Sequence, residues 1–129
     1  RGLDVFTLSP SDFLSENEIA AASFPAPNLV VNAQKRERYV WPDEPVVAKA
    51  YIDQLLRSQQ IEQAQANTLT DLLNRSEELL ASGEDSSNVA GQLEAMAERL
   101  SQSSEGSRGV TRQRFVELSS TMNGIAERL

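Results

Sequence analysis

Any chemistry in this chain of 129 residues would have to run on carboxylates, lysine, tyrosine and serine, because the sequence holds no histidine and no cysteine. That removes thiol nucleophiles, disulfides, Cys/His zinc sites, haem ligation by those residues and every histidine-based catalytic arrangement. General acid–base work then needs carboxylates that converge on one point. The adjacent acids Glu77-Glu78 fall on a helical stretch and Glu84-Asp85 on the turn that leaves it. Neighbours at i and i+1 diverge on a helix, so a solvated face explains Glu77 and Glu78 better than a catalytic pair. Serines are plentiful, but no Gly-x-Ser-x-Gly elbow occurs and no histidine exists to activate one. The lysines are Lys35 and Lys49. Lys49 has the chemistry for a Schiff base or a Ser–Lys pair, yet reads more simply as a surface helix lysine. No catalytic residue is assigned.

Binding motifs are scarcely richer. Gly106-Ser107-Arg108-Gly109 is a glycine-containing loop ahead of a helix, where an anion can meet free backbone amides. It lacks the Gly-Lys-Ser/Thr ending of a P-loop. Arg108, Arg112 and Arg114 crowd the same helix start, against the helix dipole, and are the candidate anion-binding residues; ordinary surface arginines are the plainer reading. Gly83 to Asn88 has oxygen side chains but neither the length nor the spacing of an EF-hand loop, so no metal and no cofactor is expected. Lys35-Arg36-Glu37-Arg38-Tyr39-Val40-Trp41 interleaves bases with aromatics as single-strand binders do. It is one short patch in a protein of net charge −7, which repels nucleic acid and anionic membranes. Docking onto another protein chain or domain is the better reading, with Phe24, Tyr39 and Trp41 as partner-binding residues, since Tyr39 and Trp41 offer large apolar area with polar tips, as interface anchors do. The alternative is that Trp41 packs on this domain's own first long helix.

The elements that would position these residues divide near Asp43. Residues 1–43 hold four of the five prolines and five of the seven aromatics, and both parts of the chain are acidic. In the first part Ser9-Pro10-Ser11-Asp12 reads as a helix start, followed by Phe13, Leu14 and Glu16 to Ala22, with Pro25 and Pro27 ending the helix. Asn28 to Ala33 and Arg38 to Trp41 read as short extended segments, with a hairpin across Gln34-Lys35-Arg36 as one arrangement. The preferred reading is an irregular arm that lays its aromatics over the helices or over another chain.

Residues 44–129 are helical by periodicity, a helical bundle of three or four antiparallel helices. Asp43 is expected to cap the first, with Pro45 in its first turn. Four apolar stripes follow: Val47, Tyr51, Ile52, Leu55 and Leu56; Leu69, Leu72, Leu73, Leu79 and Leu80; Val89, Leu93, Met96, Ala97 and Leu100; and Phe115, Leu118, Met122, Ile125 and Leu129. Stripes of this width usually make a protein's own core. Between Arg57 and Ala66 the stripe lapses, and a turn near Gln59–Glu62 is preferred to a single helix over 44–82, although no Gly or Pro marks it. Gly83 is expected to end the second stripe, with the polar turn through Asn88 capping the next helix. Ser101 to Gly109 reads as a flexible Ser/Gly loop, and Asn123-Gly124 as a disturbance in the last turn.

Hydrophobic residues make up 40% of the chain and aromatics 5%, so the core must be Leu, Ala, Val and Ile, which suits packed helices. No run approaches the roughly 18 apolar residues that span a bilayer, so no membrane insertion is expected. The chain opens Arg1-Gly2-Leu3 without Met and stops inside a helical repeat. A processed segment or an excised domain of a larger protein accounts for both ends, as does trimming for expression. Two of the 12 basic residues are lysine and the rest arginine, which suits a bacterial secreted or periplasmic protein. The functional expectation is a non-catalytic accessory or protein-interaction domain, a segment of a larger protein, docking through its arm. The alternative is one chain of a processed or multi-subunit enzyme that contributes an arginine anion site at residues 108–114. A self-associating bundle with structural work only is the third reading.

Overall fold

The computed structural model describes residues 7–24 and 40–129, and the expected extended segment Asn28–Ala33, the hairpin and Tyr39 lie outside these residues. The fold is mainly α: five helices among the described residues, no strand, and a bundle-like all-α arrangement. In chain order they are α1 (Glu16–Ala22), α2 (Pro45–Arg57), α3 (Gln63–Ser82), α4 (Ser87–Glu105) and α5 (Gly109–Arg128). The four apolar stripes become four long helices whose inward residues meet in one core. Ile52, Leu55, Leu69, Leu73, Leu93, Leu100, Leu118, Met122 and Ile125 are fully buried there. Each such side chain contributes about 2 kcal/mol of transfer free energy, so this core, with almost no aromatic in it, supplies most of the stability. Leu129, the last residue of the fourth stripe, is half-buried.

The break between α2 and α3 falls where the stripe lapses, and its chemistry explains why no breaker residue announced it. Gln59 takes the left-handed position itself, at φ 56°. The amide of Gln60 donates to the Leu55 carbonyl and that of Gln59 to the Leu56 carbonyl, each at 2.9 Å, which is the Schellman ending usually built on glycine. Gly83 likewise takes a left-handed conformation at the end of α3, at φ 68°, its amide donating to the Leu79 carbonyl, as its place in the sequence implied.

Several boundaries differ from the sequence expectation. α1 starts at Ser15, not at Ser9–Asp12. The Ser15 hydroxyl accepts from the Glu18 amide (3.1 Å) while the Glu18 carboxylate accepts from the Ser15 amide (2.8 Å), a complete capping box. Ser11 to Leu14 instead closes on itself through two reciprocal backbone bonds, leaving Phe13 at the tip. At α2 the N-cap is Glu44, one residue after the expected Asp43, and Pro45 takes the first helical position. α4 begins at Ser87, with Asp85 rather than Asn88 serving its start by accepting from the Ser87 amide and hydroxyl. The expected loop over 101–109 is largely helix: α4 runs to Glu105, because Ser103 and Ser104 donate back to the Arg99 and Ser101 carbonyls instead of competing with the helix. Asn123-Gly124 does not disturb α5, which is regular through Arg128.

Candidate functional site

A helix of seven residues does not hold in water by itself, so the position of α1 depends on what it leans against. It packs on α2. Glu18 receives both guanidinium nitrogens of Arg57, each at 2.8 Å, and Asn17 donates to Asp53 at 2.8 Å. Ala21 closes the apolar side against Val47 and Ala50. The Glu18 side chain is only 9% exposed. The Arg57 fork lowers its pKa to about 2, with the Ser15 amide pulling the same way against the cost of burial. The same pairing raises the Arg57 pKa. The capping box and the ion pair therefore share one carboxylate: Glu18 starts α1 and fastens it.

This fastening leaves a groove of about 230 Å³ between the two helices, lined by Leu14, Ala21, Val47, Ala50 and Tyr51 and bounded by Trp41. Its lining is predominantly apolar. Trp41 is 38% exposed, and its chain neighbour Val40 is 78% exposed. On the other wall Leu14 is half-buried, and its neighbour Phe13 is 85% exposed. Two strongly exposed apolar residues therefore adjoin, in sequence, the two residues that wall the groove.

Of the docking residues expected from sequence, Trp41 lines this groove and Tyr39 lies outside the described residues. Phe24 sits half-buried just past the end of α1, its amide donating to the Ala21 carbonyl, and is not in the groove lining. Leu8, Phe13, Leu14 and Val40 were not singled out. The Ser15-x-x-Glu18 spacing is the signal that would have found Phe13 and Leu14, because a capping box there puts both residues ahead of the helix.

The candidate arginines are only partly brought together. Arg108 is the N-cap of α5 and makes no side-chain cap bond, and no acid occupies the first turn. Arg108, in extended backbone before the helix, and Arg112 are both exposed; Arg114 is half-buried and, two helical steps on from Arg112, points elsewhere. Lys49 lies on helix α2 and is partly covered there. Its side chain is 12% exposed and bonds Glu77 across α2 and α3 at 2.7 Å, so Glu77 serves as an interhelical partner while Glu78 faces solvent. In the turn after α3, hydrogen bonds from Ser87 lower the pKa of Asp85. Among the described residues no group of three acids is placed to hold a metal. A second depression, about 180 Å³, lies between Gln60, Gln65, Ser103, Ser107 and Phe115. It contains no titratable group, and its two serine hydroxyls are turned back onto helix carbonyls. No described helix is long and apolar enough to cross a membrane. Compared with protein-family profiles, curated proteins and solved structures, the chain matches none.

Proposed function

We propose that this chain is a non-catalytic interaction domain, an accessory segment of a larger protein that docks onto another protein through the face built by α1 and the residues leading into α2. In this reading α2 to α5 form an antiparallel four-helix bundle, and α1 with its flanking segments is the docking arm. The observation that carries it is the apolar groove between α1 and α2, walled by Trp41 and Leu14 and adjoined by exposed Phe13 and Val40. Exposed aromatics anchor protein interfaces well, since they bring a large contact area with few side-chain torsions to immobilise on binding.

The test is a photo-crosslinking side chain placed at position 13 or, separately, at position 112, in cells that make the whole protein. Docking through this face gives a discrete adduct from position 13 that disappears when Trp41→Ala is added, and none from position 112. An adduct from position 112 alone contradicts the proposal. That outcome favours the second reading, in which exposed Arg108 and Arg112 at the uncapped start of α5 receive an anionic group from a partner chain.

A further inference from the structure

We propose that the last turn of α5 is a latch for the docking face: Gly124 and Arg128 hold the Asp43–Glu44 junction, and through it they set where Trp41 lies against the groove. The Arg128 guanidinium bonds the Asp43 carbonyl and, at 2.9 Å, the Glu44 carboxylate. The Asp43 side chain lies over Gly124, in the space a side chain there would need. A Cβ built on Gly124 overlaps the Asp43 carboxylate and comes within 2.8 Å of its Cβ. Glycine in mid-helix ordinarily costs about 1 kcal/mol against alanine. Here it makes room for a residue of another segment.

What the latch holds is transmitted stiffly. Only Pro42 separates Asp43 from Trp41. Its ring fixes its own φ and restricts Trp41 to extended backbone. The Glu44 amide closes a tight turn onto the Pro42 carbonyl at 2.9 Å. A displacement at Asp43 therefore reaches Trp41 with few torsions to absorb it. The charges facing Asp43 are Arg128 and Glu127 from α5 and Glu44 from the start of α2. Burial pushes the Asp43 carboxyl up, with Glu127 and Glu44 adding to it and Arg128 opposing. Shape and the Arg128 contact, rather than the Asp43 charge, hold the latch closed.

The bearing of this latch on docking rests on the function proposed above; its existence does not, and its test needs no partner. Trp41 is the chain's single tryptophan, so its emission and quenching by acrylamide report one place. Hydrogen exchange of peptides covering 40–47, against peptides covering 93–100 in α4, separates local release from general loosening. Arg128→Ala is expected to red-shift Trp41 and speed exchange over 40–47 by about two- to fivefold, the range of an exposed ion pair, with α4 unchanged. Gly124→Ala is expected to do the same without loss of global stability, because helix α5 gains while Asp43 is displaced. Asp43→Asn, which keeps the shape, is expected to leave Trp41 in place. A local change in either of the first two variants supports the latch. Unchanged Trp41 and 40–47 exchange in both, or a rise shared equally by α4, overturns it.

Discussion

Helices α4 and α5 and helices α1 and α2 are both packed pairs, held by opposite means. Helices α4 and α5 bring Leu93, Ala97 and Leu100, and Leu118, Met122 and Ile125, all buried, into one core, with the Ser119 hydroxyl donating to the Ala97 carbonyl at 2.8 Å. Between α1 and α2 lie one buried alanine on the α1 side, an arginine fork and an amide–carboxylate bond. Apolar burial scales with area and involves no titrating group, whereas an ion pair near the surface is lost on protonation and screened by salt. The molecule thus joins a helical core that stands on its own packing to a short helix attached by polar contacts that conditions can loosen. The groove lies on the loosely attached side.

Truncating the core should have the largest effect. Leu93→Ala removes a fully buried side chain and is expected to cost about 3 kcal/mol, lowering the thermal midpoint recorded by helical circular dichroism. If it releases α1 alone and spares α4 and α5, the contrast between the two pairs is broken.

Next comes the staple. Glu18→Gln removes the charge from both the capping box and the Arg57 fork and is expected to cost about 1 kcal/mol, confined to exchange over residues 15–24. Acid should act on the same contact. Glu18 has a folded pKa of about 2 against an ordinary 4.5, so its contribution is complete above about pH 4.5 and drains as the pH falls toward 2. Exchange measured at a series of acid pH values should show α1 released across that window in the wild type, with no such window in Glu18→Gln.

The smallest effect is expected at the turn that leads from α2 into α3. Gln59 bears the left-handed strain that glycine avoids, and Gln59→Gly should stabilise by about 0.5–1 kcal/mol, raising the thermal midpoint without altering the difference in exchange between α1 and α4. A selective gain in α1 alone would contradict a stabilisation that acts on the core.

The difference between the pairs also accounts for what was legible in the sequence. The core helices were readable because burial imposes a period: the stripe residues pack into or against one core, apart from Val47, which turns to α1, and even the α2–α3 turn showed as a lapse in the stripe. Missed features were those that a single hydrogen bond decides. The start of α1 depends on Ser15 and Glu18 rather than on Ser9 or Asp12. The length of α4 depends on serines that bond backward, although their composition reads as a loop. At the groove, Trp41 was legible as an aromatic with a polar tip. Phe13 was not, because its exposure follows from the turn at Ser11–Leu14, and neither was the ion pair of Lys49, because its partner Glu77 lies 28 positions away.

The most direct test of the account is hydrogen exchange on the wild-type chain at neutral pH, resolved into peptides over 15–24 and over 89–100 and followed to completion. The account predicts two populations of rates, with α1 exchanging through a local opening well before α4, and only the α1 rate responding to Glu18→Gln. A single common rate for both peptides, shifted together by that substitution, would contradict it, because α1 would then belong to the same cooperative core and the groove beside it would be part of a fixed surface.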